Sequence, residues 1–166
     1  MPVDGSAART ISFWAYVDKQ CLSNKGTQII QGSAQIMNVG TVNDEHGNFN
    51  LQVFRGNGLR LSTDKQNTHN IFFEGTEELR DAWHHYTIVV EEGGKTEDMR
   101  AYVDGKPLPA GQPTDVKINP IDHYVINTTK SAGTLFPMTT GKVADFIVFS
   151  RALSAEEVGQ VMNATK

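Results

Sequence analysis

The residues with the clearest potential for chemistry are aromatic and polar side chains of the kind that bind sugars. The apolar face of a pyranose stacks on Trp or Tyr, and its hydroxyl groups bond to Asn, Asp, Gln or Arg. The candidate stacking residues are Trp14, Tyr16, Trp83, Tyr102 and Tyr124. The candidate polar partners are the loop residues Asn57, Arg60, Asp64 and Asn67. These residues favour a ligand-binding surface, while packing in a core explains Trp14 and Trp83 more simply.

Carboxylates are the second group with chemical potential. Glycan hydrolysis requires a pair of acids facing the sugar, a few ångströms apart. The densest acidic stretches lie at predicted strand ends or on a predicted helix, and they are Glu77–Glu78 with Asp81, Glu91–Glu92 and Glu156–Glu157. The sequence also lacks the G-x-S-x-G, H-E-x-x-H and phosphate-loop motifs. We therefore predict no catalytic residues and no enzymatic activity.

Oxygen-bearing residues leave calcium open as a cofactor. Residues 43–48 read NDEHGN, and Asn43 and Asp44 are the candidate ligands there. The spacing does not match an EF-hand, and a turn between two strands accounts for the same residues. Asp145 is a third candidate ligand, but it lies on a predicted strand that is apolar on both faces. A buried carboxylate needs a partner, so we expect Asp145 to pair with Arg151 or with backbone donors.

Two histidines and one cysteine complete the reactive groups. His84 and His85 are adjacent on a predicted strand, so their side chains point to opposite faces and cannot bind one metal in regular geometry. A hydrogen-bonded structural pair is the simpler interpretation, and a single histidine lining a sugar groove is the alternative. Cys21 is the only cysteine, which excludes an intrachain disulfide.

The elements that must position these residues are mostly strands. Hydrophobic residues alternate with period two in short runs separated by Gly, Asn, Asp and Pro. The predicted strands are 9–17, 27–39, 49–54, 59–62, 70–73, 83–91, 99–103, 123–127 and 142–150. The strand 83–91 is expected to be central, and Asp104-Gly105 predicts a tight hairpin turn. Ser154 and Glu157 form a capping box that opens the one predicted helix. The pattern is typical of an all-β domain with one short C-terminal helix.

Length and charge narrow the function further. The chain has 166 residues, a formal net charge of −4 and no run of basic residues, which argues against nucleic acid and anionic lipid as partners. No apolar stretch approaches the roughly 20 residues of a membrane span, and the first residues lack the pattern of a signal peptide. We expect residues 1–166 to form a single domain excised from a longer chain.

Four segments together resemble one protein family. They are RTISFWAYV at 9–17, AWHHYTIVV at 82–90, AYVDGK at 101–106 and KVADFIVFSRALSAEEV at 142–158. Their order and spacing resemble the laminin-G-like domains of the concanavalin A-like lectin/glucanase superfamily. The resemblance implies a two-sheet antiparallel jelly-roll sandwich that binds carbohydrate or protein. The sequence departs from the family at its shortened start and at Ile147, where relatives often carry a basic residue.

The resemblance and the residues together favour a non-catalytic carbohydrate-binding or adhesion module. Its expected setting is extracytoplasmic and bacterial, beside other domains of a parent protein, with a glycan or protein as ligand. A structural or protein-binding laminin-G-like domain that packs on a neighbouring domain is the first alternative. A glycoside hydrolase is the second, and the missing run of carboxylates disfavours it.

Overall fold

A computed structural model describes ten segments of the chain. They are residues 7–18, 33–40, 48–54, 56–62, 70–95, 98–111, 124–126, 128–131, 134–137 and 141–166. The strands are β1 Arg9–Val17, β2 Ser33–Gly40, β3 Asn48–Phe54, β4 Gly58–Ser62, β5 Asn70–Phe73, β6 Trp83–Val90, β7 Arg100–Val103, β8 Lys106–Leu108, β9 Tyr124–Ile126, β10 Thr128–Ser131, β11 Thr134–Pro137 and β12 Gly141–Phe149. The helix in these segments is α1, Ala155–Ala164.

The strands form two five-stranded antiparallel sheets and a two-stranded ribbon. The first sheet has the order β12-β1-β6-β7-β8, and the second has the order β5-β4-β3-β2-β9. Strands β10 and β11 form the ribbon. The prediction of an all-β sandwich with a C-terminal helix is confirmed, and β6 is the central strand of its sheet as predicted.

Alternation along the strands builds the core between the sheets. In β1, Ile11, Phe13, Ala15 and Val17 are all buried and belong to one cluster with residues of the second sheet such as Leu51 and Leu61. The Phe13 ring stacks on Tyr86, with 5.7 Å between the ring centroids. Burying each large apolar side chain contributes about 1.5–3 kcal/mol, so this cluster is the main source of stability.

Helix α1 covers part of the outer face of the first sheet. Its buried residue Val158 packs with Val89, Tyr102 and Leu153 in a second apolar cluster. Ser154 caps the helix, since its side chain accepts from the Glu157 amide while the Glu157 side chain accepts from the Ser154 amide. The predicted capping box is thus confirmed. The C-cap residue of the helix, Thr165, accepts a hydrogen bond from Trp14 Nε1 at 2.9 Å, so the helix ends beside Trp14.

A β-bulge between β1 and β12 corrects the expectation for Asp145. The register shifts between Ser12 and Trp14, and Asp145 has a φ of +49° at this irregularity. The extra residue turns Asp145 away from both packed faces, so its side chain is exposed rather than buried. Arg151, its expected partner, instead makes two hydrogen bonds to Glu157, at 2.9 and 2.7 Å. A period-two pattern cannot show such a bulge, which is why the burial of Asp145 was wrongly predicted.

The hairpin between β7 and β8 has the predicted Asp-Gly turn. Asp104 and Gly105 have φ values of +51° and +74°, as a type I′ turn requires. The Asp104 carboxylate lies within 2.7 Å of His84 Nδ1 and accepts the His85 amide at 2.9 Å. This turn therefore joins the hairpin to the start of β6.

Candidate functional site

A depression on the first sheet, beside the end of α1, brings together three of the predicted site residues. Its volume is about 350 Å³, and we call it the tryptophan pocket. Its lining residues are Trp14, Trp83, Ala144, Asp145, Thr165 and Lys166. The walls are mainly indole rings, and the polar groups at the rim include a carboxylate and an ammonium group.

Strand register explains why the aromatic residues meet. Trp14 pairs with His85 and Tyr16 pairs with Trp83 across β1 and β6, so all four side chains share the outer face of the sheet. The Tyr16 and Trp83 rings meet edge to face at 6.2 Å. Trp83 is 43% exposed, and among the residues whose side-chain burial the structure describes it is the one large hydrophobic side chain exposed to this degree. Its free indole surface is the best stacking surface that the pocket offers.

Trp14 forms a fixed wall of the pocket. Its Nε1 donates a hydrogen bond to Thr165 Oγ1 at 2.9 Å, which ties β1 to the end of α1. Behind it, the His85 ring lies 5.2 Å away with an interplanar angle of 58°. Trp14 therefore serves both interpretations made from the sequence, because it packs against the helix and lines the pocket.

The two histidines point to opposite faces of β6, as predicted. His85 is 1% exposed on the outer face, where its Nε2 lies 2.8 Å from Ser12 Oγ. Thr87 Oγ1 donates to the same Ser12 oxygen at 3.3 Å. Burial lowers the pKa of His85, and the negative charge of Asp104 opposes this only in part. His85 is therefore neutral at pH 7 and supports Trp14 from below.

Tyr102 does not contribute to a binding surface. It is 3% exposed, lies in the apolar cluster beneath α1, and its hydroxyl accepts a hydrogen bond from Arg100 Nη1 at 3.1 Å. A ligand cannot stack on a ring that the helix covers. The expectation that Tyr102 binds a ligand is therefore corrected: its strand pattern was right, but the sequence did not show which outer face the helix covers.

Asn57 lies at a second depression, far along the chain from the first. Two adjoining clefts share Asn57, Glu74 and Gly75, and together we call them the seam groove. The larger cleft, of about 440 Å³, is lined by Phe54, Asn57, Gly58, Leu59, Phe72, Phe73, Glu74 and Gly75. The smaller, of about 270 Å³, is lined by Asn57, Glu74, Gly75, Thr76, Glu77, Leu79, Val103, Asp104, Lys106, Pro107, Leu108 and Pro109.

Phe54 and Phe72 are the site residues that sequence reasoning missed. Their rings lie 5.0 Å apart at the larger cleft, and the Arg60 guanidinium carbon lies 5.9 Å from the Phe72 centroid. Arg60, a predicted site residue, is thus placed beside an aromatic pair. The sequence did contain a signal: each phenylalanine lies on the face of its strand that otherwise carries polar residues, and not on the apolar face.

The remaining predicted residues cannot be placed in a site. Asp64, Asn67, Asn43, Asp44 and Cys21 lie outside the described residues, and Tyr124 lies in β9. Within the described segments, no group of three or more His, Cys, Asp or Glu side chains could hold a metal ion. No helix in those segments is long and apolar enough to cross a membrane.

The fold and its aromatic depressions define a lectin-like β-sandwich. A family model of the laminin-G type, described as the concanavalin A-like lectin/glucanases superfamily, matches residues 2–159. The chain therefore belongs to this superfamily, which confirms the resemblance seen in the sequence. No curated protein matches the sequence.

Solved structures support the same fold at low sequence identity. The CBM40 domain of Ruminococcus gnavus IT-sialidase, bound to α2,3-sialyllactose, has a TM-score of 0.66 and 12% identity over 96% of this chain and 83% of that one. A heptameric SAP-like pentraxin from Limulus polyphemus has a TM-score of 0.66 and 16% identity over 98% and 72%. The botulinum neurotoxin DC binding domain, in complex with rat synaptotagmin II, has a TM-score of 0.64 and 16% identity over 97% and 36%. This chain spans about a third of that toxin domain.

Proposed function

We propose that the chain is a non-catalytic carbohydrate-binding module that stacks a sugar ring on Trp83 in the tryptophan pocket. The observation that carries the proposal is the exposed Trp83 indole in a mainly apolar pocket that the exposed residue Asp145 also lines. An aromatic face with an adjacent acceptor is the arrangement that recognises a pyranose. The sialyllactose bound to the CBM40 neighbour agrees with this class of function.

Each lining residue has a distinct task in this proposal. Trp83 supplies the stacking face, and the fixed Trp14 ring limits how deep the sugar enters. Asp145 accepts hydrogen bonds from sugar hydroxyls, and Lys166 donates to ring or hydroxyl oxygens. Ala144 has a small side chain opposite Trp14, which keeps the floor of the pocket open.

The same pocket is poorly suited to hydrolysis. Glycosidases use two carboxyl groups, one on each side of the scissile bond. Asp145 is the one carboxylate among the described residues that line the pocket. We therefore propose binding without turnover, in an extracytoplasmic and bacterial setting and as part of a longer protein, as the sequence analysis expects.

The test is a glycan array probed with the purified domain, with α2,3-sialyllactose and lactose as defined probes, followed by calorimetry on the best binder. Trp83→Ala is expected to weaken binding by about tenfold or more, since stacking on an aromatic ring contributes about 0.5–1.5 kcal/mol in addition to the burial of its apolar area. Gln160→Ala, on the exposed side of α1, is the matched control and leaves affinity unchanged. An array without binders, or full affinity in Trp83→Ala, contradicts the proposal.

A protein-binding function is the second candidate, and one observation favours it. Strand β12 is the last strand of the first sheet within the described segments, and its apolar residues Ile147 and Val148 are only half-buried. Exposed apolar surface at a sheet edge suits contact with a neighbouring domain. This candidate would be favoured if the purified domain bound no glycan but associated tightly with a fragment of the parent protein.

A further inference from the structure

We propose that the seam groove is a second, separate binding site for a linear, neutral oligosaccharide chain. It shares no lining residue with the tryptophan pocket, so it goes beyond the function proposed above. Its two clefts adjoin through Asn57, Glu74 and Gly75, and their combined lining extends from Phe54 and Phe72 to Lys106. Two adjoining clefts suit several linked sugar units, whereas the single tryptophan pocket suits one.

The backbone makes the floor of the groove close and rigid. A Cβ atom on Gly75 would lie 2.1 Å from the carbonyl oxygen of Asn57, so no side chain is tolerated there. Gly58 is similarly restricted, because its Cβ would lie 2.9 Å from the Phe73 carbonyl oxygen. The two glycines let neighbouring backbone segments approach closely, and these contacts fix the shape of the groove before a ligand arrives. A preformed shape reduces the ordering that binding requires.

The groove has the chemistry of sugar recognition at both ends. The Phe54 and Phe72 rings, 5.0 Å apart, offer apolar surface at one end, with Arg60 beside Phe72. At the other end, Glu77 and Lys106 place an acceptor and a donor at the rim. Sugar hydroxyls both donate and accept hydrogen bonds, so a mixed set of this kind suits them.

Charge favours a neutral chain over an anionic one. Three carboxylates, those of Glu74, Glu77 and Asp104, line the smaller cleft beside one ammonium group, that of Lys106. This excess of negative charge repels uronates, sialylated chains and phosphate esters. The preference expected of the groove therefore differs from the sialylated ligand of the CBM40 neighbour.

Backbone pairing argues against an extended peptide in the groove. A peptide that adds to a sheet needs free backbone groups along the edge strand. At β5, Phe73 forms a bridge with Ala110, the Glu74 amide donates to the Pro109 carbonyl at 3.0 Å, and the Gly111 amide donates to the Phe72 carbonyl at 2.6 Å. The residues that follow β8 already occupy this edge, so recognition depends on side chains.

The experiment measures affinity against chain length. Linear gluco-, manno- and xylo-oligosaccharides of one to eight units, with sialylated counterparts, are titrated into the wild-type domain and its variants. Affinity is expected to rise with length and to be lower for sialylated chains. Glu74→Gln is expected to weaken binding of the best hexasaccharide about tenfold, as the loss of a charged hydrogen bond predicts. The same tenfold effect of Glu74→Gln is expected in a Trp83→Ala background, where the tryptophan pocket has lost its stacking face.

Controls separate this site from the tryptophan pocket. Glu156→Gln, which removes one exposed carboxylate from α1, should behave as wild type. If variants misfold, amide chemical shifts of the wild-type domain give the same answer, with Gly75 and Lys106 shifting on addition of the hexasaccharide. The proposal is overturned if affinity does not depend on chain length, or if sialylated chains bind equally well or more tightly. It is also overturned if Trp83→Ala abolishes hexasaccharide binding and Glu74→Gln does not affect it. That last result would support the proposed site in the tryptophan pocket and contradict the one in the seam groove.

Discussion

His84 and His85 differ by one position in the chain and have unrelated environments. His84 faces the core side of β6 and pairs with Asp104, while His85 is enclosed on the outer side between Ser12 and Trp14. The protonation state of His85 therefore affects the tryptophan pocket, because His85 supports the Trp14 ring that forms a wall of the pocket. Protonation of His85 would place a charge in a site that burial makes unfavourable for it.

Stability should consequently decrease on mild acidification. The unfolded-state pKa of His85 is near 6.5, and burial lowers the folded-state pKa below that value. As the pH falls below 6.5, the unfolded chain takes up a proton that the folded chain does not, so the free energy of unfolding decreases. We expect the melting temperature of the wild type to fall between pH 6.5 and about 5, and that of His85→Gln to fall less. Parallel curves for the two proteins would show that His85 is not the titrating group.

The sequence indicated which individual residues could bind a ligand, but not which of them lie together in the structure. Trp14, Trp83 and Asp145 were each candidates from the sequence, yet they are far apart in it and meet through strand register and the bulge. Phe54 and Phe72 were missed because an aromatic residue in a strand normally packs in the core. Tyr102 was chosen wrongly, since only the position of α1 decides which part of the outer face stays open.

At the scale of elements, the bulge in β12 is the feature that shapes the pocket. It places Asp145 in the left-handed region and exposes its carboxylate, while the next residue, Phe146, returns to the core and stacks on Phe13 at 5.7 Å. Alternation predicted the strand itself correctly. It could not predict a break in alternation, because a single extra residue leaves no compositional mark.

Substitutions at Asp145 should separate strain from recognition. Asp145→Asn keeps a residue that tolerates positive φ, so the melting temperature should be unchanged while glycan affinity falls. Asp145→Ala should lower the free energy of unfolding by about 1 kcal/mol through strain, and Asp145→Gly should not lower it. Chemical denaturation and calorimetry measure both effects. A loss of several kcal/mol in all three variants would instead indicate a carboxylate that the fold requires.

The capping box gives a second prediction for an element. Ser154→Ala should destabilise the domain by about 1 kcal/mol, because the Glu157 amide loses its acceptor. The hydrogen bonds from Arg151, followed by that from the Ser154 amide, lower the pKa of Glu157 to about 2. The stabilisation that the ionised Glu157 side chain gives the folded state is fully present above pH 4.5 and is lost as the pH falls towards 2. Thermal melts of Glu157→Gln and of the control Gln160→Ala, at pH 7 and pH 3, test the contribution of the Glu157 carboxylate: the difference between them should shrink in acid.

At the scale of the whole molecule, the sandwich presents its two depressions on separate surfaces. The tryptophan pocket lies on the outer face of the first sheet, and the seam groove lies where β5 meets the residues after β8. The all-β class and the helix were predictable because period-two patterning and a capping box are local signals. The family resemblance implied two antiparallel sheets, but the pairing order of the strands was not predicted, since strand neighbours distant in sequence leave no local signal.

Removal of divalent metal should leave sugar binding intact. Calcium takes about six to eight oxygen ligands, and the described lining of the tryptophan pocket offers one carboxylate. We expect the melting temperature and the glycan affinity to be the same after dialysis against EDTA as before. A decrease in both, reversed by calcium, would assign a metal to other residues, with Asn43 and Asp44 as the first candidates.

The pairing of the first and last strands also determines how the domain responds to a pulling force. Strands β1 and β12 are antiparallel, and Thr10 at the start of β1 lies opposite Phe149 at the end of β12. Tension applied through residues 9 and 149 therefore acts across adjacent strand ends and separates the ladder one hydrogen bond at a time. Contacts of the segment between β12 and α1, such as the hydrogen bond from the Leu153 amide to Thr10 Oγ1, must also break. In single-molecule stretching, the domain should unfold at a lower force when pulled at these positions than when the force shears β1 parallel to its neighbouring strands. In an adhesive role it would therefore act as a weak mechanical link.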